Sequence, residues 1–218
     1  MKIVFIASDL NQFGGIQIYN HTLLNAIKEQ EKEVTLIELA NAQLISKILF
    51  TLKLVWRTIT GNPNVIFCSH IGFAPLCYIL HKITGVSYVM ALYGIDVSAK
   101  KSSIEAKALR AAQSVILIFD WAKKEFHNQF PDLDNKVFFL PSPVDDTRFM
   151  IKEKSEYLEE RYNTKGKKVI LTVARLASVE HGNKGYERVL RALPEVLTTI
   201  PNIKYIMVGK GDEMPRME

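Results

Sequence analysis

The sequence lacks most of the features that would fix its chemistry at once. Only two of its 218 residues are cysteines, Cys68 and Cys77. Both sit among apolar neighbours, which favours buried free thiols over a disulfide. No cysteine–histidine cluster has the spacing of zinc ligands, so a metal site of that kind is not expected. No apolar run approaches the roughly 20 residues of a membrane-spanning helix. The opening MKIVFIASD is too short for a secretory leader and reads as a first buried strand. Low-complexity tracts are missing. So is the G-x-G-x-x-G fingerprint, which leaves a nicotinamide-dependent oxidoreductase without its phosphate loop. These absences predict a folded cytoplasmic chain, at most peripheral to a membrane.

What the chain does carry is positive charge and a repeating pattern. Its net charge of +5 and pI near 9.1 favour anionic partners. Strand-like runs recur at 2–7, 33–39, 65–69, 87–92, 114–119 and 136–140. Helical patterns separate them at 16–28, from a cap at Asn41 to 59, and at 72–84, 103–112 and 121–128. Strands without polar alternation, each followed by a helix, predict an α/β fold: a doubly wound, Rossmann-like parallel sheet covered on both faces. Residues 141–168, with prolines, acids and mixed charge, read as a linker carrying a short helix. The pattern then restarts as strand 169–173, helix 185–197 and strand 205–208. The expected organisation is a first domain over 1–150, a linker over 151–166, and the beginning of a second Rossmann-like domain over 167–218. Two strands alone cannot bury a sheet's worth of apolar surface.

Candidate site residues fall where strands end. Gly14 and Gly15 lie between the first strand and the first helix, where a ligand binds in an open parallel sheet. The alternative for them is a tight turn needing positive φ. His70 follows the third strand and suits an acid, a base or a hydrogen-bond donor. Tyr93 and Asp96 close the fourth. Arg175, after the strand of the second domain, and Lys184, just before its helix, are suited to phosphate oxygens. His21, His81 and His127 read as surface or packing residues.

Three further patterns allow more than one reading. Asp132 and Asp134 have the Asp-x-Asp spacing of a metal motif. They lie between Pro131 and Asn135 rather than at the end of an apolar strand, and read as a solvated turn. Glu187 and Glu195 have a Glu-x7-Glu spacing but no glycine loop beside the second acid. The stretch 44–59 has an apolar helical stripe (44, 45, 48, 49, 52, 55, 56, 59), with Lys47, Lys53 and Arg57 opposite. It reads either as an ordinary sheet-covering helix or as a contact for an anionic membrane surface.

Several segments in order resemble glycosyltransferase family 4, retaining enzymes of the GT-B fold. They are Gly14-Gly15, Tyr93-Gly94-Ile95-Asp96-Val97, Leu140-Pro141-Ser142-Pro143-Val144-Asp145 with Arg148-Phe149, Thr172-Val173-Ala174-Arg175-Leu176, Lys184-Gly185-Tyr186-Glu187 and Val208-Gly209-Lys210-Gly211. The resemblance spans nearly the whole chain. It departs at Tyr93, where many members have histidine, at Phe119 and Ser142, and at the missing family Glu-x7-Glu region, with roughly half of the second domain. The resemblance implies a nucleotide-diphosphate sugar donor (UDP- or GDP-linked), a glycan or lipid-linked acceptor as in polysaccharide biosynthesis, no nucleic acid and no metal cofactor. It places Arg175, Lys184, Gly209, Gly14 and Gly15 on the donor, and His70, Tyr93 and Asp96 on the reacting side. A different class of function remains open: a non-catalytic remnant that binds a membrane surface or a partner transferase through 44–59.

Overall fold

The computed structural model describes residues 1–11, 14–30, 32–144, 146, 149–178 and 184–217, with only the backbone of Ile95. Asp145, Arg148 and residues 179–183 of the polar insert lie outside the described residues. The chain divides into two compact units, Met1–Asp145 and Asp146–Glu218. The second unit thus takes in the stretch read from the sequence as a linker.

The first unit holds six strands: β1 (Lys2–Ser8), β2 (Glu33–Leu39), β3 (Val65–Cys68), β4 (Ser87–Leu92), β5 (Ser114–Leu117) and β6 (Val137–Phe139). All pair in parallel, in the order β2-β1-β3-β4-β5-β6. Phe5 of β1 lies between Leu36 and Phe67, and its ring stacks on Phe67 at 4.7 Å. Alternate residues of β1 feed two separate cores: Val4 and Ile6 join one, Ile3, Phe5 and Ala7 the other. A strand buried on both faces has no solvated side, and this explains why the strand runs show no polar alternation.

The covering helices are α1 (Gly15–Glu29), α2 (Leu44–Gly61), α3 (Ala74–Thr84), α4 (Gly94–Ser98), α5 (Ser103–Ala111) and α6 (Asp120–Gln129). Asn41 does not cap α2 as expected. Its side chain accepts the Gln43 N–H at 3.0 Å, turning the chain one step earlier, and Gln43 holds the cap position. Gly72 and Phe73, expected to open α3, belong instead to a separate 3₁₀ turn (Ile71–Phe73), because Pro75 fits only the first turn of an α-helix. α4 was not expected. It folds the segment after Tyr93 back as a short helix, with Val97 N–H donating to the Tyr93 carbonyl at 3.2 Å.

The orientation of α2 differs from the simplest reading of its sequence. Its buried residues are Phe50, Leu54 and Thr58, the last with its hydroxyl bonded to the Leu54 carbonyl at 2.8 Å. The broad apolar stripe faces outward: Ile45 is 71% exposed, Leu49 61%, Leu52 60% and Ile59 60%. Burying Phe50 and Leu54 contributes roughly 1.5–3 kcal/mol each, enough to hold the helix on the sheet through its narrower face.

In the second unit, β7 (Lys168–Val173) and β8 (Ile203–Val208) pair in parallel. Among the described residues, three helices accompany them: α7 (Glu156–Arg161), α8 (Tyr186–Thr199) and α9 (Met214–Met217). α8 continues through Pro194 rather than stopping near it. Val169, Leu171 and Val173, alternate residues of β7, are all exposed. No described helix in either unit is long and apolar enough to cross a membrane.

Candidate functional site

A parallel sheet offers a ligand crevice at the carboxyl ends of its strands, where the strand order reverses. Here the reversal lies between β1 and β3. The segments after β1, β3 and β4, three adjacent strands, carry Gly14 and Gly15, then His70, then Tyr93 and Asp96. Residues far apart in sequence therefore share one sheet edge.

The loop after β1 is held from below. Glu38 Oε1 accepts the Leu10 N–H at 3.1 Å, Asp9 N–H donates to the Leu39 carbonyl at 3.0 Å, and His21 Nε2 lies 3.1 Å from the Leu10 carbonyl. Glu38 is thus part of the loop's support. Gly14 caps α1 in an extended conformation, φ −178°, and offers no side-chain cap. The turn explanation for the two glycines does not apply, since neither Gly14 nor Gly15 has positive φ. A Cβ at Gly15 would meet nothing within 4 Å among the described residues, which leaves the start of α1 open to them on that side. Its first N–H groups carry the positive end of the helix dipole.

His70 starts the 3₁₀ turn after β3. Its Nδ1 accepts the Gly72 N–H at 2.9 Å, and the near approach depends on Gly72, whose Cβ would sit 3.0 Å from that nitrogen. An Nδ1 that accepts a bond places the proton of the neutral ring on Nε2. The free ring position of His70 in that tautomer is therefore an N–H donor. Its ring lines an open cavity of ≈ 640 Å³ with Ser8, Leu39, Lys47, Phe50, Phe73 and Ile79. The wall is mainly apolar, with Ser8, His70, Lys47 and Thr51 supplying the polar groups.

Tyr93 and Asp96 sit differently from His70. Tyr93 is buried, and its hydroxyl donates to Asn20 Oδ1 at 2.6 Å. Burial raises its phenol far above the ordinary range. Tyr19 packs edge-on against it and donates to the Leu140 carbonyl at 3.1 Å; burial pushes the Tyr19 phenol up to about 12. Asp96 Oδ2 accepts the Tyr93 N–H at 3.3 Å. Of the three residues placed on the reacting side, the cavity brings in only His70. Asn20 was missed by sequence reading, since it sits on a helix face with no local pattern to mark it, and Lys47, read there only as a charge on the 44–59 helix, also lines this cavity.

In the second unit, Arg175 follows β7 in a loop tied to the loop after β8. Ala174 N–H donates to the Val208 carbonyl at 3.0 Å and Leu176 N–H to the Lys210 carbonyl at 2.9 Å. Arg175 itself is exposed between these two ties. A Cβ at Gly209 would fall 1.9 Å from the Ala174 carbonyl oxygen, so only glycine allows the two loops to approach. Gly211 is constrained likewise by the Leu176 carbonyl, at 1.8 Å and with φ 158°. Lys184 precedes Gly185, which caps α8 with φ 74°. Glu187 in the first turn of α8 pairs with Arg216 and, at 3.7 Å, with Arg191.

The carboxylates of the Asp-x-Asp pattern are engaged by neighbouring side chains. Arg110 binds Asp132 at 2.8 Å and His127 binds Asp134 at 2.7 Å. Both cysteines are free and buried; the hydrogen bond to Cys68 and then burial hold the Cys77 thiol well above its ordinary range.

No family model and no curated protein matches this chain. Solved structures do. Anabaena Alr3699/HepE in complex with UDP matches with TM-score 0.61 at 12% identity, over 100% of this chain and 71% of that one. The fold is that of GT-B Rossmann-like proteins. The S. aureus MnaA–UDP co-structure matches with TM-score 0.59 at 11% identity, over 99% of this chain and 64% of that one. The lipopolysaccharide outer core galactosyltransferase WaaB, in its apo form, matches with TM-score 0.51 at 17% identity, over 100% of this chain and 70% of WaaB. This chain therefore spans between 64% and 71% of the length of these three proteins.

Proposed function

We propose that the chain is part of a glycosyltransferase that moves a hexosyl group from a nucleotide-diphosphate sugar, UDP- or GDP-linked, to a glycan or lipid-linked acceptor with retained configuration. The observation that carries this reading is the Arg175 loop. A long cation is presented from backbone fixed on both sides, in a fold whose neighbours include proteins crystallised with UDP.

In the reaction the bond from the anomeric carbon to the diphosphate oxygen breaks, and a bond to the acceptor oxygen forms. The diphosphate leaves with the bonding pair, and its departing oxygen takes up the proton that the acceptor hydroxyl loses. Arg175 and Lys184 stabilise that growing charge, the task that a bound divalent metal performs elsewhere. Gly209 keeps the Arg175 loop in place. Gly15 leaves room for a ligand group at the positive end of α1, and Gly14 lets the Gln17 side chain fold close against the loop. His70 donates from Nε2 to an acceptor or sugar oxygen. Tyr93 and Asp96 act as positioning residues, fixing the end of β4 beside it. The mainly apolar cavity at His70 favours an acceptor with an apolar portion over a plain glycan.

The test is transfer from labelled UDP- and GDP-sugars to lipid extracts, with and without a chelator, followed by NMR of the product's anomeric proton. Retained configuration and chelator resistance are expected. An inverted product removes the retention; a chelator-sensitive reaction removes the role given to the two cations.

A second reading, a non-catalytic surface-binding piece, is favoured by one observation, the outward apolar face of α2.

A further inference from the structure

An amphipathic helix at the edge of a sheet normally turns its apolar stripe inward. α2 does the reverse. At 100° per residue, Leu44, Ile48, Ile59, Leu52, Ile45, Trp56 and Leu49 lie along one arc, and each is at least 49% exposed; Val55, near one edge of the arc, is partly buried against the core. α3, which packs against α2, leaves Ile79 46% and Ile83 72% exposed. An exposed apolar surface of this extent marks an interaction site.

Charge identifies the occupant. From Leu39 to Ile95 the sequence has no aspartate or glutamate, but it has Lys47, Lys53, Arg57 and Lys82. This stretch alone carries +4, against +5 for the whole chain. Lys47 lies on one flank of the arc, and Lys53 and Arg57 on the other. The Arg57 guanidinium rests over the Trp56 ring, 4.6 Å from its centre, and Lys82 over Tyr78 at 5.7 Å. Long cations beside aromatic rings, flanking an apolar arc, match the layering of headgroups over acyl chains. A second copy laid symmetrically on this face would set these cations against their own kind. The three cations on α2 also exclude a buried, spanning placement, so the helix lies in the plane of the interface.

We propose that the outward face of α2, with Ile79 and Ile83 of α3, is a docking surface for a bilayer containing anionic lipid. This goes beyond the transfer reaction and does not depend on it. It has one consequence for that reaction: Lys47 and Thr51 belong both to the flank of the docking face and to the wall of the His70 cavity. A docked protein holds that cavity next to the lipid surface.

Sedimentation of the full chain with vesicles tests this. Vesicles of phosphatidylglycerol and phosphatidylcholine should carry the protein down, and vesicles of phosphatidylcholine alone should not. Combining Leu49→Glu, Leu52→Glu and Trp56→Glu should weaken the partition at least about tenfold; Lys47→Glu with Lys53→Glu should remove the preference for anionic lipid. A second measurement covers a variant that fails to fold. Trp121→Phe leaves Trp56 as the sole tryptophan, and its emission should shift to shorter wavelength on anionic vesicles. Equal sedimentation of wild type and triple variant overturns the proposal, as does unshifted emission. So does a wild type that ignores vesicles but forms a dimer that the triple variant abolishes.

Discussion

The hydroxyl of Tyr93 donates to Asn20 Oδ1 across 2.6 Å, joining the end of β4 to the buried face of α1. Both side chains are inside the first unit. A neutral phenol in that position serves to lock a helix to a strand end. Truncating Asn20 to alanine strands a buried hydroxyl, which costs about 1–3 kcal/mol. Tyr93→Phe removes the donor and leaves the amide oxygen of Asn20 unpaired, at a similar or smaller cost. Urea denaturation of both variants and the double variant measures the coupling. Additive losses contradict the lock.

Gly209 is a second point of close approach. Gly209→Ala forces its Cβ into the Ala174 carbonyl, so the two loops must separate. The expected result is a destabilised second unit, by about 1–3 kcal/mol, together with weaker nucleotide binding. Amide hydrogen exchange at Ala174 and Leu176 reports the separation directly. Unchanged exchange sinks this view of the loop.

The start of α5 is a local, pH-dependent element. Ser102 and Glu105 form a capping box: Glu105 Oε2 accepts from the Ser102 N–H at 2.8 Å and from its hydroxyl at 2.7 Å. The hydrogen bond from the Ser102 side chain, then that from its backbone, holds the Glu105 carboxyl below its usual range. A depressed acid stabilises the fold while ionised. The contribution is full above the unfolded-state pKa and is lost as pH falls through the lower folded value. Ser102→Ala is expected to cost about 1 kcal/mol near neutral pH and less in acid. A loss of stability that is flat with pH contradicts it.

In the proposed reaction His70 stands on the reacting side. His70→Gln keeps a donor but changes the bond to Gly72, and His70→Ala removes both. The expected order of transfer rates is wild type, then glutamine, then alanine. A glutamine variant no better than alanine shows that donation is not what His70 supplies.

The architecture was legible because strands buried on both faces leave no polar alternation, and six such runs can only be a covered parallel sheet. The convergence of the β1, β3 and β4 ends followed from the same pattern. The facing of α2 was not legible. Periodicity finds an apolar arc, but which side packs depends on partners such as Phe73, whose ring meets Phe50 at 4.9 Å. Tyr93 was placed at a ligand edge because it ends a strand; α4, a five-residue helix with little sequence signal, closes over its backbone, and its hydroxyl partner Asn20 lies 73 positions away. The role of Gly209 was equally hidden, since a carbonyl from a separate strand's loop sets it.

The central claim is that Arg175 and Lys184 hold a nucleotide diphosphate. Calorimetric titration of UDP and GDP into the wild type and into the Arg175→Ala, Lys184→Ala and double variants tests it most directly. One nucleotide is expected to bind the wild type, with affinity falling about tenfold or more for each cation removed. No binding of either nucleotide, or equal binding by wild type and double variant, contradicts the account.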